Sequence, residues 1–531
     1  MSSQGVFIGP QKWWADKNLR SLRFNSADTA YLSRTPASSG NRKTWTWAGW
    51  VKRSALGADH MVFDANNGSD YFSLLLNSNN TCTVYNRISA TNYYLTTTAV
   101  FRDPSAWAHI VVAVDTTAAT PSNRVKLYIN NSQVTTFSSA QYPLLDALTQ
   151  VNNTVAHQIG NRNGQSVYFS GYLADIHFID GQALEPTAFG EFDDNGIWQP
   201  QTYFGDYGTN GFRLNFGDNT STSTLGLDSS GQGNHWTSNN LSVTAGAGND
   251  SMVDHPVHYG FDTGVGGEVR GNYCTLNPLD KGGGVALSNG NLDLTTTSGN
   301  QCVSATIALP SSGKWYYEGT AGSNTLPPIF GISKAPLSTK TYVGSTSDSW
   351  GYYGGNGGIY NNASVTATVA TYGTGDIIGV AFDADAGSLK FYKNNSLQHT
   401  VTGLTGEWFF AVGGATMTAS INFGQRPFAY TAPSGFKALC TTNLPENTGI
   451  TTSGTFTGNS SANGPFIYLN GIPTAMTING NSVTFGTHAD KLSNGFKVRN
   501  STSSYNASGS NTFTISSTGD NFKEARAQEN P

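Results

Sequence analysis

The amino-acid sequence predicts an all-β protein, and three observations carry that prediction. Only 12% of the 531 residues are charged, about half the usual ~25%. Aromatic residues supply another 12%, and 61 glycines stand among abundant Ser, Thr and Asn. Thr, Tyr, Phe and Trp suit a pleated, half-buried surface and Gly and Asn suit tight turns, so this mixture favours many short strands. The third observation is local. In Gly171-Tyr-Leu-Ala-Asp-Ile-His-Phe-Ile-Asp180, the apolar Ala174, Ile176 and Phe178 alternate with Asp175 and His177, which is the period of a half-buried strand.

A chain of this length exceeds one hydrophobic core and is expected to divide into about two to four domains. Its net charge of −5 argues against a nucleic-acid partner, because affinity for phosphate comes mainly from Lys and Arg. No segment is long and apolar enough for a membrane-spanning helix, so membrane insertion is not expected. The opening Met-Ser-Ser-Gln-Gly-Val-Phe lacks the basic and apolar regions of a signal peptide, which suggests synthesis in the cytoplasm. Cys82, Cys274, Cys302 and Cys440 are too few and too scattered for a disulfide framework or a zinc site. An isolated pair such as Cys274 with Cys302 stays open.

Residues 1–20 include Trp13 and Trp14 without a convincing strand. They read as an N-terminal arm that docks on a neighbour or as a terminal strand. The first domain begins at Ser21-Leu-Arg-Phe-Asn. Thr44-Trp-Thr-Trp-Ala-Gly-Trp50-Val-Lys-Arg, Met61-Val-Phe-Asp and Tyr71-Phe-Ser-Leu-Leu-Leu follow, separated by turn residues such as Asn66-Asn67-Gly68. Trp107-Ala-His-Ile-Val-Val-Ala-Val-Asp115 and Arg124-Val-Lys-Leu-Tyr-Ile-Asn130-Asn form the next pair.

In their order and spacing, the Trp-x-His strand ending at Asp115, the Leu127-to-Asn131 turn and the Gly171-to-Asp180 strand resemble the laminin-G or concanavalin A-like lectin family. The resemblance covers residues 21–195 and implies a β-sandwich that recognises surfaces. Residues 196–272 are rich in Gly, Asn, Asp and Ser, and Gly211-Phe-Arg-Leu-Asn-Phe-Gly217 echoes Leu22-Arg-Phe-Asn25. With no later strands in view, this stretch is expected to be a packed connector.

Over residues 273–440, Lys314-Trp-Tyr-Tyr-Glu318, Ile329-Phe-Gly-Ile-Ser333, Gly375-to-Asp383, Leu389-to-Asn394, Trp408-Phe-Phe-Ala-Val and Ile421-to-Phe428 follow in turn. These resemble the SPRY domain, a bent β-sandwich that presents loops to a partner. Residues 441–531 read as short hairpins of a small C-terminal β domain. The whole arrangement resembles tail-fibre-like proteins of marine tailed bacteriophages. That resemblance implies a virion protein, a tail or fibre component, whose partners are other virion tail proteins and a glycan or protein receptor on the host surface. By the same resemblance the chain is a homo-oligomer, conventionally a trimer. A purely structural virion component (adaptor, decoration or scaffold), a polysaccharide-degrading enzyme and a free lectin are the competing readings.

Glycoside hydrolysis requires two carboxylates flanking the scissile bond, and no Glu-x-Asp-x-x-Glu motif is present. Asp175 and Asp180 are an odd number of residues apart and face opposite ways on a regular strand, while Glu185 and Glu191 fall in the turn beyond. The expected protein is therefore not an enzyme. His177 shares a face with Asp175 and is expected on a partly solvated polar strand face. His255 and His258, alone in a loop, do not make a zinc site. No cofactor is required, and calcium is the one candidate. Asp64, Asn66, Asn67 and Asp115 at strand ends could supply its oxygen ligands, although Asn and Asp also simply build turns. For glycan stacking the loop candidates are Tyr93, Tyr94, Tyr352, Tyr353 and Tyr360. The glycines around the last three would let a ligand approach closely, or let the rings anchor their own loop. Trp45, Trp47, Trp50 and Trp315 are expected in cores.

Overall fold

Alternating apolar and polar residues along short runs produce antiparallel sheets almost throughout the chain. The structure, a computed structural model, describes residues 19–192, 197–260, 262, 264, 267–297, 299–322, 326–334, 341–445, 453–460, 465–469, 473–492, 495–499 and 502–518. Of the expected N-terminal arm only residues 19 and 20 fall within them. The chain separates into two units, the first made of segments up to Arg102, Trp107–Gly190 and Pro200–Val257.

The first unit is a sandwich of two eight-stranded sheets. The first sheet runs in the order Ser132–Gln133, Val125–Ile129, Ala108–Asp115, Thr44–Arg53, Gly171–Asp180, Ser21–Phe24 and Ser251–Met252, with Phe212–Leu214 added on Gly171–Asp180. The second runs Phe137–Ala140, Thr91–Thr97, Cys82–Ile88, Tyr71–Leu76, His60–Asn66, Ala156–Ile159, Tyr31–Arg34 and Thr237–Asn239. Trp45, Trp47, Phe63, Phe72, Leu74, Val84, Leu95, Val112, Leu127 and Phe178 fill the space between them.

The strand Gly171–Asp180 departs from simple alternation. Its register against Thr44–Arg53 slips between Ala174 and His177, and Asp175 takes a left-handed φ of +43°. This is a β-bulge, in which one extra residue bends the strand and reverses which parity faces inward. Leu173, rather than Ala174, therefore joins Ile176 and Phe178 in the core. Gly49 gives the bulge room, because a Cβ there would stand 2.8 Å from the Trp47 ring and 3.4 Å from Ile176.

The sandwich extends beyond residue 195. Phe212, Leu214, Phe216, Leu225, Trp236 and Leu241 all join its core, so the stretch read as a connector supplies strands to both sheets. Its echo of the first strand has a structural counterpart. Ser21–Phe24 pairs with residues 171–174 and Phe212–Leu214 with residues 176–178 of one strand, on either side of the bulge. Each partner places an arginine against a buried carboxylate, Arg23 on Asp250 at 2.9 Å and Arg213 on Asp175 at 2.8 Å.

The second unit contains another sandwich. Its seven-stranded sheet runs Leu276–Lys281, Asn300–Ala305, Phe409–Ala415, Ile329–Ser333, Ser349–Tyr353, Gly358–Asn361 and Ser364–Thr368. The facing sheet runs Val285–Ser288, Asp293–Thr296, Thr418–Asn422, Lys314–Ala321, Ile377–Asp383, Ser388–Lys393 and Ser396–Val401, with Lys437–Ala438 parallel to Lys314–Ala321. Ile378, Val380 and Phe382 are buried as their alternation requires, and Trp315 is 1% exposed. The turn joining Ile377–Asp383 to Ser388–Lys393 closes on Gly387 at φ +57°, where a Cβ would meet the Leu404 carbonyl at 2.6 Å. Toward the C-terminus a four-stranded and a three-stranded sheet form around Leu469, Ile478, Phe496 and Val498. All four cysteines are buried thiols.

Candidate recognition surface

The outward face of the second sheet in the first sandwich carries a row of tyrosines. On Tyr71–Leu76, Phe72 and Leu74 enter the core and Tyr71 and Ser73 point away. On Cys82–Ile88, Val84 points in and Tyr85 out; on Thr91–Thr97, Leu95 points in and Tyr94 out. Tyr85 pairs directly with Tyr94 and diagonally with Tyr71, positions from which aromatic side chains reach one another. Their rings stack in series, Tyr71–Tyr85 at 5.2 Å with planes 15° apart and Tyr85–Tyr94 at 5.9 Å and 13°. The Arg162 guanidinium lies over Tyr71, 4.2 Å from the ring centre, a cation–π cap. All four side chains are half-buried.

Burial and the adjacent Tyr71 push the Tyr85 phenol up to about 12, so it remains a protonated donor at neutral pH. The row therefore combines apolar ring surface with hydroxyl groups at regular spacing, flanked by the half-buried Arg87 and the exposed Asn92. Such a surface can pack against carbon–hydrogen faces and exchange hydrogen bonds at its rim. Of the predicted pair, Tyr94 belongs to it. Both Tyr93 and Tyr94 lie in a strand rather than a loop, because the alternation continues through them, and Tyr93 faces the opposite way, across from Asn86.

The Tyr352-to-Tyr360 segment is likewise a hairpin rather than an open loop. Tyr352 is completely buried; its hydroxyl donates to the Ala370 carbonyl, and its ring meets Tyr372 edge-on at 4.8 Å. It is a core residue, which removes it from the ligand-binding candidates. Tyr353 and Tyr360 remain half-buried and pack on each other at 6.3 Å, with Tyr342 6.0 Å from Tyr360. The surrounding glycines serve these rings. A Cβ on Gly355 would meet the Tyr353 ring at 2.6 Å, and one on Gly358 the Tyr360 ring at 2.6 Å. Tyr360 also accepts a hydrogen bond from Asn356 Nδ2 at 2.8 Å.

The proposed calcium ligands do not converge as a set: Asp64 and Asn66 adjoin each other, and Asp115 stands apart from them. Asp64 is fully buried, accepting from Ser73 Oγ at 2.7 Å and Asn163 N at 3.2 Å. Burial pushes its carboxyl up to about 6 against those bonds and the Arg162 charge. Asn66 accepts from Gly68 N and donates to the Asn163 carbonyl, which is turn-building. Asp115 lies in the other sheet and accepts from Thr117 N and Oγ1. Among the described residues no three His, Cys, Asp or Glu side chains group as metal ligands.

Asp175 and His177 are not on a solvated face. Each is 1% exposed beneath Phe189, Tyr203 and Tyr207. His177 Nε2 stands 3.2 Å from Asp175 Oδ2, and its Nδ1 lies 2.9 Å from the Tyr207 hydroxyl. Burial alone would push the Asp175 carboxyl up; Arg213 and His177 override it and hold it well below the usual carboxylate range. Burial also keeps His177 below its ordinary range. The network is a closed structural lock.

Residues 25–188 match the Concanavalin A-like lectin/glucanases superfamily, and residues 314–426 match the SPRY domain. The two sandwiches are a concanavalin A-like lectin/laminin G domain and a SPRY domain. Among solved structures the chain is similar to the SPRY domain of human HERC1, at 22% identity over 28% of this chain and 96% of that chain, with a TM-score of 0.25. It is similar too to a human SPRY domain (19% identity, 27% and 98% covered, TM-score 0.24). A third is the native heptameric SAP-like pentraxin from Limulus polyphemus (16% identity, 32% and 78% covered, TM-score 0.24). No curated protein matches the chain by sequence.

Tyr71, Tyr85 and Arg162 are the members of the lectin-like surface that sequence reasoning missed. Two of them carried a usable signal: each is a polar-edged aromatic beside an inward apolar residue, Tyr71 before Phe72 and Tyr85 after Val84. Arg162 carried none, since its position over Tyr71 depends on a loop distant in sequence.

Proposed function

We propose that this chain is a virion protein of a tailed bacteriophage, a tail or fibre component, that binds glycan on the host cell through the tyrosine row of its lectin-like domain. The observation that carries the recognition part is the Arg162–Tyr71–Tyr85–Tyr94 stack, held half-exposed on a sheet face. The virion part rests on the succession of a lectin-like sandwich, a SPRY domain and a small β tail, together with the resemblance of that order to tail-fibre-like proteins. Binding rather than catalysis is the reading, since the one carboxylate–histidine pair on the signature strand is sealed under aromatic rings. Single contacts to a sugar are weak, and copies repeated on a particle, joined as an oligomer, multiply them into useful avidity. The test is retention of the full-length chain on intact host bacteria with and without competing surface polysaccharide. Competed retention that Tyr85→Ala abolishes supports the proposal; retention unaffected by competitor or by the substitution refutes it.

A structural role in the virion is favoured by a different observation. Leu144, Leu145 and Leu148 are exposed on a loop fixed by Asp146 N to Thr116 O at 2.8 Å, Thr116 Oγ1 to Ala147 O at 2.8 Å and Arg124 Nη1 to Pro143 O at 2.9 Å. Rigidly presented leucines suit a subunit contact. Replacing all three by Ser and measuring mass by sedimentation decides this reading: a smaller assembly supports it, and an unchanged one removes it.

A further inference from the structure

One end of the lectin-like sandwich buries a cation that has no acidic partner among the described residues. Arg53 ends the strand Thr44–Arg53 on the same parity as Trp45, Trp47 and Val51, all core residues, so its side chain enters the space between the sheets. It is 4% exposed. Nη1 donates to Asn80 Oδ1 at 3.1 Å and to the Phe101 carbonyl at 2.9 Å. Nε and Nη2 are buried and meet no acceptor among the described residues. Burial lowers the guanidinium to about 10, and the titratable group beside it is the Cys82 thiol rather than a carboxylate. That thiol is itself pushed up to about 12 by burial and is neutral.

A second donor faces the same interior. His60, Leu76 and Cys82 are successive cross-strand partners in the second sheet and so share a face, which for Leu76 and Cys82 is the core. His60 is 2% exposed and meets the Phe169 ring edge-on at 6.1 Å. Its Nδ1 lies 3.2 Å from both Ser170 N and the Tyr168 carbonyl. The Ser170 N–H can only donate, so Nδ1 accepts and the ring proton resides on Nε2. That Nε2 is buried and, among the described residues, makes no well-formed hydrogen bond, the Ala55 carbonyl being its neighbour. Burial and then Arg53 hold the imidazole below its ordinary range, against the Tyr168 and Ala55 carbonyls and the exposed Asp59.

Three donor nitrogens and one positive charge without a described counter-charge thus face an interior walled by Leu76, Cys82 and Phe169. Buried charges persist when paired and buried donors when satisfied. Water would satisfy the donors but leave the charge, whereas a cation is repelled. We infer that Arg53 Nε and Nη2, with His60 Nε2 beside them, bind a small monovalent anion of the size and charge of chloride inside the lectin-like domain. The anion ties Thr44–Arg53 of one sheet to His60–Asn66 of the other and clamps that end of the sandwich. This site is independent of the glycan-binding reading.

The experiment is thermal unfolding of the full chain in chloride against gluconate at fixed ionic strength, for the native protein and for Arg53→Met. A ligand bound to the folded state alone raises Tm with the logarithm of its concentration. The native protein is expected to gain several degrees as chloride replaces gluconate, and Arg53→Met to show no difference between the salts. Equal melting of the native protein in both salts overturns the inference and leaves water as the partner of these donors. Should Arg53→Met fail to fold, crystals of the native chain grown in bromide decide the matter. An anomalous peak against Arg53 and His60 upholds the site, and its absence there refutes it.

Discussion

Tyr71 and Tyr85 stack at 5.2 Å, with ring planes 15° apart, on the side of their sheet that the core does not use. The adjacent apolar residues already satisfy the packing needs of these strands, so the pair is a surface feature added to a complete sandwich. Tyr85 is the middle rung, in contact with Tyr71 on one side and Tyr94 on the other. Aromatic contacts of this kind contribute about 0.5–1.5 kcal/mol each. Tyr85→Ala removes two of them together with the central ring, and polysaccharide binding is expected to weaken by about tenfold or more, a change of ~1.4 kcal/mol. Titration calorimetry against the competing polysaccharide measures it, with a cooperative melt well above the assay temperature showing that the fold is intact.

Tyr352→Ala provides the opposite expectation. This ring is buried against Tyr372 and Phe391, and emptying an aromatic core site costs about 3–5 kcal/mol. The variant is expected to lower the Tm of the SPRY domain clearly while leaving polysaccharide retention per folded molecule unaltered. Loss of retention with normal stability would return Tyr352 to the ligand candidates.

Asp175 tests the lock behind the bulge. Asn accepts left-handed backbone as Asp does, so Asp175→Asn keeps the φ of +43° and removes the charge facing Arg213 and His177. Breaking a buried pair from one side costs about 3–5 kcal/mol. Denaturant unfolding is expected to show the lectin-like domain destabilised by that order, with the bulge retained in the variant's structure.

The fold was legible because period-2 patterning is a local property, and Thr44–Arg53, Gly171–Asp180 and Ile377–Asp383 each declare themselves in a few residues. The bulge at Asp175 escaped because a one-residue slip leaves every side chain individually compatible with a regular strand. The contribution of Phe212, Trp236 and Leu241 to the first core escaped for another reason. These apolar residues are thinly spread through Gly- and Asn-rich sequence, and only pairing with strands that lie from about thirty to some two hundred residues earlier shows their role. In the recognition surface, Tyr93 and Tyr94 attracted attention as adjacent aromatics, yet strand geometry sends them to opposite faces. Glycines near Tyr353 and Tyr360 suggested ligand access, whereas they make room for those rings.

Asp64 gives the folded protein a pH dependence of definite sign. Its carboxyl is raised from 3.8 to about 6 in the fold, so between about pH 4 and pH 6 the folded chain holds a proton that the unfolded chain has released. Its contribution is therefore complete below pH 4 and is lost as pH rises through 6, by about 3 kcal/mol at ~1.36 kcal/mol per unit. Asp64→Asn removes this dependence. Relative to the native protein it is expected to gain stability above pH 6, reduced by about 1 kcal/mol for the weakened bond from Asn163 N. Denaturant unfolding at pH 4 and pH 7.5 measures both ends.

His157 acts in the opposite direction over nearly the same range. Its Nε2 accepts the Asn152 N–H at 3.0 Å and its Nδ1 donates to the Val155 carbonyl at 2.8 Å, which defines the neutral tautomer. Protonation would place a second N–H against Asn152 N. Burial, aided by Arg34 and opposed by the Val155 bond, pushes the imidazole down from 6.5 to about 4. The folded chain thus binds fewer protons than the unfolded chain between those values. Stability is present above pH 6.5 and lost as pH falls through 4, by about 3 kcal/mol. His157→Gln keeps an acceptor toward Asn152 without the titration, and its unfolding free energy is expected to fall less steeply on acidification than that of the native chain. An equally steep acid limb in the variant would assign the loss to other groups, His109 first, since burial and then His177 push it down to about 3.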